Sequence, residues 1–458
     1  PGVEKLLHPQ LFPSGGEFFE SHAGLTLFPD LIAFSVRLTH LKLEDALFAW
    51  HLASIFLFLL AGWELAGACF ERALARWGAV ALLASLFTLP VAGTALYLID
   101  QYLNPRNLAA FAGVFALARV VERKYLRAGV WLLAALAVHP LMTWFAASIC
   151  ILLVLVEKIR LPRLSELQWA AVFPLSFASF FAPPTPAYRE AMRFHVSHFL
   201  SHWSWYEWLG AVGPAVILVG YGRLARSRRL ANLERLCFAL VIYTLAYFAA
   251  ALVISLPERF APLARIQPLR SLHLVYVVLL TLTGALLAEY VLKNRVWRWI
   301  GLFLPLCAGM FLAQRALFPR SAHIEWPWAK PENAWEQAFL WIRGNTPQDA
   351  QFAIDPFYMG ISGEGYTGFR AAAQRSRLAD AHKDSGAVSM FPPLAEEWWH
   401  QFQAQKNWKD FRMEDFLRLR AQYGINWIVI ENPVPGLRCA YRNPAVSVCR
   451  LGAQENSD

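Results

Sequence analysis

The residues best suited to chemistry in this sequence are a few carboxylates and arginines that border apolar stretches. Glu17 and Glu20 sit in Leu11-Phe12-Pro13-Ser14-Gly15-Gly16-Glu17-Phe18-Phe19-Glu20, a short loop with two glycines. Asp100 closes a long apolar run and leads into Gln101-Tyr102-Leu103-Asn104-Pro105-Arg106. One such carboxylate can take the proton of an acceptor hydroxyl while another positions it or binds a divalent cation such as Mg or Mn. The plain alternative for each is a solvated residue at the end of an element. Arg106, with Arg265 and Arg270 on either side of Gln267-Pro268, offers the planar donor fork that fits phosphate. At a membrane boundary that phosphate would belong to a lipid-linked donor, and headgroup anchoring is the competing reading.

Histidines form a second group. His139 precedes Pro140 inside an apolar stretch, where a titratable side chain is costly without a role or a structural hydrogen bond. His195, His198 and His202 recur at spacings of three and four, which one helix would bring to one face. No neighbouring carboxylate completes a metal-ligand set. The aromatics around them, Phe194, Phe199, Trp203, Trp205, Tyr206 and Trp208, favour an interfacial helix instead.

Near the C-terminal end, residues 355–365 are glycine-rich and aromatic but lack the Gly-Lys-Ser/Thr ending of a phosphate loop. Arg375, Arg377, Lys383 and Asp384 follow in a polar stretch that reads either as solvated surface or as a contact for an anionic substrate. Cys439 and Cys449 flank Arg442-Asn443-Pro444, a turn between two short extended runs. Facing strands outside the cytoplasm would allow a disulfide between them.

The elements that must position these groups are mostly membrane helices. The chain has 458 residues, 57% of them hydrophobic and 16% charged, with mean hydropathy +0.36. That balance places it among polytopic membrane proteins. The net charge of +9 falls in short loops beside apolar spans, so topology and anionic lipid explain it without nucleic acid. Basic clusters occupy every second loop: 72–76, 119–127, 158–163, 223–235 and 293–298. By the positive-inside rule these are cytoplasmic, and residues 1–42, 100–106, 183–203, 257–268 and the C-terminal segment share the outer face. Spans are expected at 46–70, 77–99, 107–121, 167–182, 205–221, 233–256, 269–292 and 297–318. Residues 126–156 carry basic groups at both ends and turn at His139-Pro140, which predicts two short arms of a hairpin. The total is about ten membrane segments, and it leaves Pro1 outside, so an upstream span is expected.

Three regions result: an outer loop with an amphipathic interfacial helix (1–42), a transmembrane helical domain (43–318) and a small extracytoplasmic α/β domain (319–458). In the last, 333–343 and 413–422 read as helices, and 351–354 and 427–430 as buried strands before a terminal hairpin.

This organisation resembles the polyprenyl-phosphate-dependent membrane glycosyltransferases of the GT-C superfamily, which include oligosaccharyltransferases, protein mannosyltransferases and aminoarabinose transferases. The resemblance rests on the long first loop with its amphipathic helix, Asp100 in the second loop, the His139-Pro140 hairpin and the C-terminal domain opening at Trp341-Ile342-Arg343-Gly344-Asn345-Thr346-Pro347. It implies an acidic first-loop residue as base or acceptor-binding group, matched here by Glu17, and a second-loop carboxylate, matched by Asp100. Ser14-Gly15-Gly16 stands where the family usually has Asp. The implied donor is a sugar on polyprenyl phosphate, in a bacterial inner membrane, with Arg106, His139, Arg265, Arg270 and Lys383 as substrate-binding candidates. A transporter or flippase of a lipid-linked solute and a non-catalytic envelope assembly protein are the rival classes.

Overall fold

The computed structural model describes residues 1–158, 184–255, 258–321, 326–360 and 368–452. The expected span at 167–182 and most of the stretches 158–163 and 361–365 lie outside them. The chain divides into two compact units.

One unit comprises residues 45–184 and 196–312 and is helical. Across the described chain, six helices are long and apolar enough to cross a membrane: Leu43–Cys69, Pro140–Glu157, Trp205–Ser227, Ala231–Ile254, Pro262–Leu292 and Val296–Leu317. Ala73–Ser85 and Tyr125–Val138 are shorter apolar helices. The expected total of about ten spans is therefore not reached among the described residues. Local chemistry sets several boundaries. Asn104 accepts from the N–H groups of Arg106 and Asn107, and Pro105 opens helix Pro105–Val121. Ser204 and Glu207 form a capping box at the start of Trp205–Ser227.

The stretch 126–156 is a hairpin. Helices Tyr125–Val138 and Pro140–Lys158 pack together, and Glu157 at the far end of the second meets Arg123 at 2.6 Å and the Tyr125 hydroxyl at 3.1 Å at the start of the first. His139 lies at the apex, half-buried, where its Nδ1 accepts from the Met142 N–H at 3.4 Å.

Residues 77–99 are not one span. The helix stops at Ser85, and 86–99 fold back with Pro90 bridged to Tyr97 and positive φ at Ala92 and Ala95. Pro90 has no N–H to extend a helix and disfavours helical geometry at Leu89. The apolar side chains Val91, Leu96 and Leu98 are still buried, and the backbone is satisfied locally, with Val91 N–H to Leu96 O at 2.8 Å and Ile99 N–H to Phe87 O at 3.1 Å. Hydropathy reports burial in either geometry, which is why the run resembles a span.

The other unit gathers residues 1–44, 185–195 and 313–458. Its centre is a five-stranded sheet: β1 Gln351–Ile354, β2 Ser376–Arg377, β3 Trp427–Ile430, β4 Arg438–Arg442 and β5 Ser447–Arg450, in the order β2-β1-β3-β5-β4. β1 is parallel to β2 and β3, while β5 is antiparallel to both β3 and β4. Alternate residues feed two cores. Phe352, Ile354, Trp427 and Val429 pack with Trp335, Phe339 and Ile342 of helix Ala334–Asn345; Ala353, Ile428 and Ile430 pack with Phe416 and Leu419 of helix Met413–Tyr423. Gly424 ends the latter helix at φ +69°, a conformation that glycine adopts without strain. The first segment joins this sheet at its β2 edge, where Ser14 exchanges hydrogen bonds with Ser376 and donates to Gln351 Oε1 at 2.6 Å.

Cys439 and Cys449 are cross-strand partners joined by a disulfide. The other cysteines, Cys69, Cys150, Cys237 and Cys307, are free. Alkylation of the denatured chain should therefore add four adducts without reductant and six with it, read by intact mass. Six adducts without reductant would exclude the bridge. In the chain-entropy account the link contributes about 2–3 kcal/mol to this unit.

Candidate functional site

In the helical unit, the groups that could do chemistry converge at one end of two helices. Residues 100–107 fold into a compact knot that fixes Asp100 and Arg106 together. Arg106 donates to both carboxylate oxygens of Asp100, from Nε at 3.0 Å and Nη2 at 2.8 Å. The Asn104 amide donates to Asp100 Oδ2 at 2.6 Å while its oxygen caps the helix. Asp100 is thus held in a bidentate pair with less than a fifth of its side chain exposed.

Arg270 and His273 lie within electrostatic reach of this pair. Gln267 adopts a left-handed conformation at φ 50°, Pro268 follows, and a tight helical turn delivers Arg270 and His273 to the start of helix Leu272–Leu286. His273 is buried, with Nε2 3.0 Å from Leu98 O. The Gln267 side-chain oxygen, on a residue 3% exposed, and Arg270 Nε make no hydrogen bond here. His51, in the first apolar helix, also feels the charge of Asp100, and its Nδ1 is buried without a hydrogen bond. Arg265 lies in the turn just before Gln267 and is half-buried.

The set is rich in donors and positive charge. Two arginines and the N-terminus of helix Pro105–Val121 lie around a single carboxylate that is already paired. Such a set suits an anion and does not suit a metal cation. Among the described residues no group of three His, Cys, Asp or Glu side chains is placed to hold a metal ion. The three histidines do not share a helix face: the helix Pro186–Arg193 ends before them, His198 and His202 lie in 3₁₀ turns, and His195 belongs to the other unit. Phe194 explains the stop, since its ring packs among Phe357, His382, Trp398 and Phe402 within the sheet-containing unit.

Of the other expected site residues, Glu17 opens helix Glu17–Ala23, half-buried, and Glu20 is exposed on its first turn. Both belong to the unit that contains the sheet, and Asp100 belongs to the helical unit. The polar stretch after residue 374 is not solvated surface. Arg375, Arg377 and Asp384 are 3%, 2% and 2% exposed, whereas Lys383 is open to solvent. Arg375 is spent on structure, donating to Thr346 O at 2.6 Å and Arg343 O at 2.9 Å. His51, Gln267 and His273 were not singled out from the sequence. A polar residue inside an apolar span is the signal that marks His51 and His273, as it marked His139. Comparison with protein-family models, with curated proteins and with solved structures finds no match to this chain.

Proposed function

We propose that this chain is a membrane glycosyltransferase that takes a sugar from a polyprenyl-phosphate donor, with its sheet-containing unit outside the cytoplasm of a bacterial inner membrane. The observation that carries this reading is the convergence of Arg106, Arg270 and the N-terminus of helix Pro105–Val121 near one carboxylate at an end of the apolar helices. An anion bound there would belong to an amphiphile whose tail runs along those helices, and a lipid-linked phosphate has that form. In sugar transfer an acceptor hydroxyl oxygen bonds to the anomeric carbon and gives up its proton as the bond to the phosphate oxygen breaks, and negative charge grows on the departing phosphate. Arg270, with an uncommitted Nε, and Arg106, fixed by Asp100, are positioned to stabilise that charge without reorganising. Asp100 acts through Arg106 as a positioning residue. No step is routed through a metal.

The test is turnover of a radiolabelled polyprenyl-phosphate hexose by the purified protein in proteoliposomes. Release of polyprenyl phosphate is the expected result, falling by about a hundredfold in Asp100→Asn and in Arg270→Gln as the phosphate loses its alignment. Lipid that changes leaflet with its sugar still attached would assign transport and sink the transfer reading.

A further inference from the structure

The sheet-containing unit buries two arginines and two aspartates at one place, with a third cation beside them. Arg370 and Arg377 keep 8% and 1% of their side-chain surface, and the carboxylates Asp384 and Asp380 keep 3% and 4%. Lys383 adjoins the same two aspartates, with its side chain exposed overall but its ammonium pushed below the ordinary lysine range by burial. Three cations thus face two anions, and the hydrogen bonds do not balance. Asp384 is used by Arg370 Nη1 at 2.7 Å and by the Asp380 N–H at 2.9 Å. Asp380 Oδ1 takes the N–H groups of His382, Lys383 and Asp384, which start helix Lys383–Met390. Arg377 donates through Nε to Leu378 O at 2.8 Å, but neither Nη1 nor Nη2 makes a hydrogen bond. Its nearest carboxylate oxygen, Asp380 Oδ2, is 3.9 Å away. The Tyr358 ring lies against the guanidinium at 5.0 Å.

A buried guanidinium with two terminal nitrogens left over is strongly unfavourable unless an oxyanion completes it. The paired N–H groups match two oxygens of a phosphate, and a spherical ion would use only one. Lys383 adds a flexible point charge where the cluster meets solvent. A Cβ on Gly368 would stand 2.8 Å from its Nζ, so the glycine keeps space beside the ammonium.

We propose that Arg377 and Lys383 form an anion site for a phosphate group, separate from the arginines of the helical unit and independent of the transferase reading. The phosphate enters past Lys383 and takes the Arg377 fork, while Arg370, Asp380 and Asp384 hold the two cations in place. Inorganic phosphate and a lipid phosphate headgroup share this chemistry.

The experiment uses the full chain in nanodiscs of neutral phosphatidylcholine, titrated with inorganic phosphate at constant ionic strength by calorimetry and by thermal unfolding. Saturable binding with a raised Tm is expected. Lys383→Gln, at an exposed side chain, should keep the phosphate-free Tm and bind about tenfold more weakly, and Arg377→Lys should lose at least as much. A second arm replaces free phosphate with phosphatidic acid in the disc. A response only there, lost in the same two variants, assigns a headgroup as the source. Both titrations are repeated in the Arg270→Gln background, which removes the phosphate contact proposed for the helical unit, and the response that persists there is the one assigned to Arg377 and Lys383. Absence of that response, or its wild-type strength when Lys383→Gln and Arg377→Lys are added, would overturn the site.

Discussion

Leucine in place of Gly284 should prevent the helical unit from assembling, so that the protein is recovered only as aggregate in detergent. Helices Ala73–Ser85 and Leu272–Leu286 cross with backbone against backbone at Gly78 and Gly284. A Cβ added at Gly284 would fall 2.8 Å from the Gly78 carbonyl carbon and 2.9 Å from Ala79 Cα, and closer still to the Gly78 carbonyl oxygen. These are main-chain atoms that no rotamer change can move. The reciprocal substitution fails equally, because a Cβ at Gly78 would meet Gly284 O and Ala288 Cβ. In a membrane, close approach through small residues supplies packing and polar contact that apolar area alone does not. Forcing the helices apart should cost at least about 1–3 kcal/mol for alanine and more for leucine. Gly284→Ala is thus expected to lower Tm and Gly284→Leu to abolish the monodisperse peak in size-exclusion chromatography. A wild-type profile for Gly284→Leu would show that the helices do not touch there. The same helix begins with His273 within electrostatic reach of the Asp100–Arg106 pair, so Gly284→Ala should also weaken donor turnover in the assay described above.

That contact illustrates what the sequence could and could not convey. Gly78 and Gly284 look alike to every other small residue in an apolar run, because nothing in a single helix says which neighbour comes close. The hairpin at His139-Pro140 was legible, since proline and two basic ends leave one economical path. So were β1, β3 and the helix ending at Gly424, where apolar periodicity and a glycine stop speak locally. Residues 86–99 were misread because burial in a folded loop and burial in a span leave the same apolar composition. The site divides in the same way. Asp100 and Arg106 are six residues apart and visible together, but Gln267, Arg270 and His273 reach them only through helix packing. The Arg377 cluster was hidden for another reason. Charged side chains read as surface until their partners are known, and the partners here are one another.

Those partners carry the second large effect. Arg370→Met should destabilise the sheet-containing unit by about 3–5 kcal/mol, because it leaves the Asp384 carboxylate buried without its countercharge. Burial already holds that carboxyl above the ordinary aspartate range, against the pull of Arg370. Asp380 differs: burial pushes its carboxyl up too, but Arg377, Arg370 and three backbone N–H donors outweigh that and keep it below the usual range. Tyr358, whose hydroxyl accepts from the Phe369 N–H at 2.8 Å, has its phenol pushed up to about 12 by burial and stays neutral. Arg370 is therefore the group on which Asp384 depends, and it also donates to Arg377 O at 3.2 Å and lies 6.0 Å from the Phe18 ring. Its loss should loosen the first segment together with the helix Lys383–Met390. Hydrogen exchange on the full chain reads this directly, with faster exchange expected over 369–390 and around Phe18. The double substitution Arg370→Met with Asp384→Leu removes the stranded charge and should recover much of the protection, since an apolar pair of similar volume replaces a buried ion pair at little net cost. Equal protection in Arg370→Met and wild type, or no recovery in the double variant, would mean that the pair does not hold the unit together.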